Sequence, residues 1–417
     1  MFRGGAIFFI GGLIANLLNY VYRIVMGRLL GPEVFGELIV IISLVLISVV
    51  PSAPLQTVTA RFSAIFEAQD FTRKLKNLFF YLTRVISLIS FWIVILAVIF
   101  ASQIQTFLKL SSKSYVYFLA AIIAAMLITG ITKGILQGLK RFPQLSSAII
   151  LESIGRVGLA VILVTLGFKM TGALSGFLIP LILVYFLTIY FLRDILVASD
   201  EQEESSSQDK ISSSQTKEIW QYIFYSFFVF FFLNLLLNVD IILVKHYFPA
   251  LEAGIYSGFT TLGRAAFIAV SLLAGILFPI VAFKQAKKED YFHPLKIVSL
   301  ASFLIAGFVA LIFFFFPKEL LSLFFGKEYL AGAPFLGYYG LIMGILGFIF
   351  LLSYFFMALN KFKFLYFLAA GSILEIVLIS LWHSNFSQVI SMFFIALIFT
   401  LLGLGFSTFL ERRQLPV

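Results

Sequence analysis

Seven ionisable residues fall inside long apolar runs of this chain: Arg23, Arg84, Arg156 and Arg264, with Glu152, Asp240 and Glu375. A charge at mid-bilayer costs roughly 2.5–3.5 kcal/mol on insertion scales, so such residues must face a protein interior or water. Arg84 lies near a span end, where a long side chain can snorkel to the interface. Glu152 and Arg156 are four apart on one helix, so they either neutralise each other or serve the function together. Arg264 sits eleven residues into its run, with no acid three or four positions away. A guanidinium fork matches phosphate oxygens bidentately and stays protonated at physiological pH. Arg264, with Arg23 and Arg156, therefore makes a candidate cationic site for an anionic ligand, unless a structural partner occupies Arg264. Asp240, Glu375 and Glu152 are candidates for ion coupling or gating. An Arg23–Asp240 ion pair between the two halves of the chain would form a structural gate.

The elements that must hold these residues follow from composition. Of 417 residues, 61% are hydrophobic and 12% charged, and Phe alone supplies 52. Soluble domains average roughly 45–50% apolar and about 25% charged. A bilayer can solvate the outside of such a bundle, and water cannot. About 20 apolar residues span the hydrocarbon. The runs predict twelve helices, near 6–26, 36–59, 78–101, 115–136, 144–167, 172–192, 219–243, 253–282, 297–316, 334–358, 364–382 and 388–410. The fold class is an all-α membrane protein. The first run is too long for a signal-peptide core and is read as a retained helix. With the N-terminus cytoplasmic, nineteen Lys and Arg residues flank the inner ends and seven the outer ends. That positive-inside bias places both termini in the cytoplasm of a multi-pass cell-membrane protein.

A polar stretch rich in Glu, Ser and Gln, residues 193–218, divides the chain. The domains expected are a six-helix lobe over 1–192, a cytoplasmic linker over 193–218 and a second six-helix lobe over 219–417. The halves resemble each other. Arg23-Ile-Val-Met-Gly-Arg28-Leu-Leu-Gly-Pro32 precedes Asp240-Ile-Ile-Leu-Val-Lys245-His-Tyr-Phe-Pro249 by 217 residues, and Gly36 then matches Gly254. Gly138-Leu-Lys-Arg-Phe142 precedes Ala358-Leu-Asn-Lys-Phe362 by 220. Even-numbered repeats share one orientation, which predicts a pseudo-two-fold axis along the membrane normal.

The stretches Tyr22–Gly36, Asn238–Lys245 with Glu252–Tyr256, and Leu323-Phe-Phe-Gly326-Lys-Glu-Tyr329 are similar in order and spacing to a known family. They resemble the polysaccharide-exporter branch of the multidrug/oligosaccharidyl-lipid/polysaccharide (MOP) flippase superfamily, the Wzx-type O-antigen and capsule flippases. The resemblance implies two lobes forming a V around a central cavity, alternating access, and an undecaprenyl-diphosphate-linked oligosaccharide as substrate. Arg23, Arg264 and Arg156 would then meet the diphosphate. Membrane lipid, a coupling Na+ or H+ and glycan assembly enzymes are the implied partners. In the related lipid II flippases, cavity arginines lie in the first, second and eighth helices. Arg23 and Arg264 fit the first and eighth, but the second helix here has no arginine before Arg61, and the two extra C-terminal helices of that branch are missing.

The alternatives are a lipid II-type flippase, a MATE-like ion-coupled drug extruder, and a membrane glycan polymerase or glycosyltransferase. An extruder of cations favours acids in its cavity, whereas four arginines here face three acids. An enzyme of that kind needs a large outer loop, and the longest ones here, near 102–114 and 317–332, are short. No cysteine is present, so thiolate chemistry is excluded. His246, His293 and His383 are scattered and form no metal set, and no phosphate loop or nucleophile motif occurs. No cofactor, enzymatic activity or nucleic-acid partner is expected.

Overall fold

The computed structural model describes residues 2–68, 72–196 and 213–413, so residues 197–212 of the expected linker lie outside the described chain. Every described element is helical. The chain gathers into two compact units, one holding residues 1–30 and 44–219, the other 31–43 and 220–417.

The first unit contains α1 (Phe2–Ser48) as far as residue 30, then α2 (Ser52–Ala68), α3 (Thr72–Ile99), α4 (Ala101–Phe107), α5 (Ser114–Gly138), α6 (Phe142–Leu163), α7 (Lys169–Phe191) and α8 (Arg193–Leu196). α6 packs along α7, while α2 and α3 both pack on α5. At one end, Leu75, Phe79, Ile131, Ile135, Leu136, Leu145, Leu192 and Ile195 join α3, α5, α6 and α8 in one apolar cluster. α3 lies at the periphery, with only 6% of its apolar window buried. Its outward Phe, Trp and Leu side chains suit hydrocarbon, and Arg84 is exposed there, as snorkelling requires.

The second unit contains α9 (Ser213–Tyr247) from residue 220, α10 (Ala250–Ala286), α11 (Phe292–Phe315), α12 (Pro317–Phe324), α13 (Ala333–Ala358), α14 (Leu365–Leu381) and α15 (Phe386–Arg413). α13 is its centre, 78% buried over its apolar window, and packs on α10, α11 and α15. Residues 31–43 of α1 belong to this unit too.

Among the described residues, nine helical stretches are long and apolar enough to cross a membrane, and α14 is a shorter apolar helix. Two of the nine are compound. Ile10–Ser48 carries the first span and the start of the second, and Phe142–Phe191 carries the fifth and sixth. The chain is thus a multi-pass helical membrane protein of about twelve spans.

Three boundaries differ from those read in the sequence. The turn between spans 1 and 2 is a single residue, Gly31, at φ 71° and ψ 170°. Only glycine adopts that conformation without steric penalty. Span 2 is not one helix over 36–59. It stops at Ser48, turns through 49–51, and resumes as α2 at Ser52. Pro51 has no N–H to donate and clashes with the preceding turn, which breaks the ladder. Spans 5 and 6 are divided by a π-helical turn over Val164–Phe168, ending on Gly167 (φ 95°) and Lys169 (φ 41°), slightly earlier than the expected turn at 169–172.

The repeat is visible in local geometry. After the fourth span of each half, the chain closes with the same pair of backbone bonds: Lys140 N–H to Gln137 O and Arg141 N–H to Leu136 O in the first, Asn360 N–H to Met357 O and Lys361 N–H to Phe356 O in the second. Lys140 and Asn360 take the same left-handed conformation, φ 57° and 55°. The basic residue that follows then clasps an acid just beyond or at the end of its half's sixth span. Arg141 donates to both oxygens of Asp194 and to the Phe191 carbonyl. Lys361 lies 2.6 and 2.7 Å from the oxygens of Glu411, which also accepts from Tyr291 Oη at 3.0 Å.

Candidate functional site

Each unit buries a polar cluster, and five of the seven intramembrane charges lie in these two clusters, with Arg23 on α1 beside the first. In the second unit, α9 supplies Asn238 and Asp240, α10 supplies Tyr256 and Arg264, α13 supplies Tyr339 and α14 supplies Glu375. Asp240 has no exposed surface. Its Oδ2 accepts from Tyr256 Oη at 2.9 Å and Tyr339 Oη at 2.8 Å. Arg264 Nη2 stands 3.8 Å from Asp240 Oδ1 and donates to the Leu237 carbonyl, while Nη1 donates to Asn238 Oδ1 at 3.2 Å. Arg264 is thus not an unpaired cation. Its partners lie 24 to 27 positions away on the neighbouring helix, beyond the reach of any same-helix spacing.

Glu375 is fully buried, and among the described residues neither of its carboxylate oxygens has a hydrogen-bond partner. Asp240 Oδ1 and Arg264 Nε likewise lack one. Glu375 interacts electrostatically with both Asp240 and Arg264. The cluster therefore holds two carboxyl groups against one guanidinium, with three buried carboxylate oxygens not hydrogen-bonded. A buried charge without compensation costs several kcal/mol, so such a site favours uptake of a proton or a cation.

In the first unit, α1 supplies Asn19, Tyr22 and Arg23, α5 supplies Lys133, α6 supplies Glu152 and Arg156, and α7 supplies Phe177. Glu152 Oε2 accepts from Lys133 Nζ at 2.6 Å, and Oε1 accepts from Arg156 Nη2 at 2.6 Å. Arg156 Nη1 donates to Asn19 Oδ1 at 2.5 Å, and the guanidinium lies 3.7 Å above the Phe177 ring. Tyr22 donates to the Ala173 carbonyl at 2.9 Å. Arg23 is half-buried and acts electrostatically on Tyr20 and Tyr22, as does Arg156 on Tyr22. Glu152 and Arg156 do form the pair that their spacing allowed, and Lys133 extends it. Two cations thus share one acid, the reverse of the second unit's cluster, where two acids share one guanidinium.

Sequence reasoning missed Lys133, Asn19, Asn238, Tyr256 and Tyr339. Lys133 is one of the nineteen inner flanking charges of the sequence, because a lysine within two turns of a helix end ordinarily serves there. The two tyrosines were hidden among 17 in the chain. Tyr256 had one usable signal: it lies sixteen residues after Asp240, across a tight turn that folds α10 back on α9.

Comparison with known proteins agrees with this architecture. No curated protein matches the sequence. Among solved structures, an inward-facing multidrug resistance MATE family transporter of the MOP superfamily matches with a TM-score of 0.75 at 13% identity, covering 96% of this chain and 94% of that one. The lipid II flippase MurJ, in an inward closed conformation, matches with a TM-score of 0.69 at 17% identity, over 96% and 87%. A MOP superfamily transporter from Pyrococcus furiosus, whose binding pocket is described as of reverse polarity, matches with a TM-score of 0.63 at 15% identity, over 99% and 94%. These likenesses establish the fold as that of MOP transporters. A model of the polysaccharide biosynthesis protein family matches residues 1–284, more than half of the sequence. By that match, this chain belongs to the polysaccharide biosynthesis protein family.

Proposed function

We propose that this protein is a flippase that carries an undecaprenyl-diphosphate-linked oligosaccharide from the inner to the outer leaflet of the cell membrane. Both termini then lie in the cytoplasm, and the two lobes over 1–192 and 219–417 alternate access to the cargo. The observation that carries the reading is the balance of the first unit's cluster, where Lys133 and Arg156 both pair with the single acid Glu152. A diphosphate leaving water needs that kind of field. The family description, polysaccharide biosynthesis, and the likeness to a lipid II flippase support the same class of cargo.

Arg23, half-buried on α1, is assigned the direct diphosphate contact. Arg156 has its guanidinium committed to Glu152, Asn19 and Phe177, so it contributes its field rather than an open fork. Arg264 is likewise committed, and belongs with the acids of the second unit. Asp240 and Glu375 are assigned to a coupling H+ or Na+, because their oxygens are the buried acceptors without hydrogen bonds.

The test is transport of a fluorescent lipid-linked oligosaccharide in proteoliposomes. The wild type moves the lipid between leaflets, and Arg23→Gln slows it about tenfold, the worth of one charge-assisted hydrogen bond of ~1.5 kcal/mol. A second reading, a cation extruder, is favoured by the acid excess of the second unit. Efflux of a cationic dye with no movement of the lipid would replace the flippase reading by that one.

A further inference from the structure

Arg84, on α3 of the first unit, is the intramembrane charge that the fold leaves exposed. No described residue forms a hydrogen bond or ion pair with it, and α3 itself contains no acid. The helix begins at Thr72, so Arg84 lies about three turns along it. It stands about 12 Å beyond Lys76, the last basic residue at that end. The opposite side of α3 is the one that packs. Leu75, Phe79, Leu82 and Ile86 lie on the apolar cluster shared with α5. Arg84 is half a turn around the helix from that line, so it projects outward.

Along the outward side, Asn77, Phe80, Arg84, Ser87, Phe91 and Val94 follow one another at alternating steps of three and four residues, and all six are exposed. Seven residues per two turns is the spacing by which one helix meets another along a left-handed seam. Contact with lipid alone calls only for apolar side chains. The half of this seam nearer the basic end instead carries an amide, a guanidinium and a hydroxyl, the groups that bond across helices inside a bilayer. Snorkelling lets Arg84 persist without a partner, since its side chain leans towards the N-terminus of α3 and the nearer interface. It does nothing for Ser87, three residues deeper and too short to reach water.

We propose that this face of α3 is a docking surface for a transmembrane helix of another protein, one that carries a carboxylate at the depth of Arg84. The occupant follows from charge. Two copies of this chain meeting α3 to α3 about a two-fold axis would set Arg84 against Arg84. No other face of a second copy supplies the counter-charge, because the intramembrane acids Glu152, Asp240 and Glu375 are all buried. A carboxylate opposite the guanidinium pairs with it bidentately and relieves two charges in lipid at once. The inference does not depend on the cargo.

Trp92, 56% exposed and eight residues beyond Arg84, is a built-in fluorescence donor. The protein is reconstituted at pH 8 in phosphatidylcholine vesicles with synthetic leucine-rich single-span peptides. These carry a dansyl acceptor and either Asp or Leu at the depth of Arg84. Energy transfer from Trp92 is the difference between the wild type and Trp92→Phe. It should saturate at about tenfold lower density of the Asp peptide than of the Leu peptide, the worth of one hydrogen bond to a charged group. Arg84→Leu should reduce the Asp peptide to the level of the Leu peptide, in protein whose elution is unchanged because no described partner is lost. Asp and Leu peptides that transfer alike to the wild type would overturn the docking surface, as would an Asp peptide that binds Arg84→Leu as well as it binds the wild type. Quenching of Trp92 by bromine-labelled phosphatidylglycerol that requires Arg84, while the two peptides transfer alike, would overturn it in favour of a lipid-headgroup contact. No transport is measured, so the docking surface and the proposed cargo stand or fall separately.

Discussion

Glu152 holds two cations at once, and its removal isolates the consequences. Neutralising it as Glu152→Gln leaves Lys133 and Arg156 facing each other across a half-dry interior. Breaking a buried pair by removing one partner costs about 3–5 kcal/mol, because the remaining charge stays desolvated. The expected result is a marked fall in thermal unfolding temperature in detergent. Arg84→Gln on the exposed face of α3 should leave that temperature nearly unchanged. A fall for Arg84→Gln equal to that for Glu152→Gln would mean that the cluster has no special structural weight. The contrast also marks what could be read at residue level. Intramembrane charge alone singled out Arg156, Glu152, Asp240, Arg264 and Glu375, because each is expensive wherever it stands. Their partners could not be read, apart from the Glu152–Arg156 pair four residues apart. Asn19, Tyr339 and Asn238 come from other helices, and an apolar background gives no reason to prefer one tyrosine or asparagine over another.

At the scale of elements, the ion-pair clasps carry the repeat's strongest structural signature. The sequence match Gly138–Phe142 with Ala358–Phe362 marked the turns, and the structure adds the acids they grip. Arg141, hydrogen-bonded to Asp194, holds that carboxyl below the usual aspartate range. A depressed carboxyl contributes stability that is complete above its unfolded value, about 3.9, and is lost as pH falls through the lower folded value. Asp194 is 56% exposed, so solvent screening limits the contribution to about 1 kcal/mol or less. The pH dependence of unfolding below pH 4 should therefore be slightly shallower in Asp194→Asn than in the wild type, with curves that converge at the acid end. Identical slopes would show that the clasp contributes nothing. On the other clasp, burial, together with Glu411, pushes the Tyr291 hydroxyl up to about 12, so Tyr291 stays protonated at any working pH. Helix boundaries were less legible than turns. A proline such as Pro51 marks a distortion of the helix, but a kink and a full break look alike in sequence. Gly134 and Gly138 have GxxxG spacing, which carries little weight among 29 glycines, yet carbons added there would press on Gln56, Thr59 and Ala60 of α2. Small-residue spacing in a membrane helix marks an interface only when the opposing helix is known.

For the whole molecule, span number and helical class were legible because both follow from how much apolar surface must meet lipid. Charge balance by unit was not, because it depends on which side chains converge. The first unit's cluster carries Lys133 and Arg156 against Glu152, and the second carries Asp240 and Glu375 against Arg264. Arg23 and Asp240 are 217 residues apart and Arg156 and Glu375 are 219 apart, within the offsets of the repeat to about one residue. The duplicated scaffold thus presents bases in one copy where it presents acids in the other. On the proposed function, one copy meets the anionic cargo and the other meets the coupling cation. Glu375→Gln tests the division, since it keeps the size of the side chain and removes its ability to ionise. The mutant should still exchange labelled lipid between leaflets, at a rate within a few-fold of the wild type, when no gradient is applied. It should no longer accelerate or accumulate lipid in response to an imposed H+ or Na+ gradient, whereas the wild type should respond to one of them. Arg23→Gln should show the opposite pattern, slow under every gradient. If Glu375→Gln responds to the gradient like the wild type, the second unit's acids are structural, and coupling passes to the acid of the first unit's cluster, Glu152.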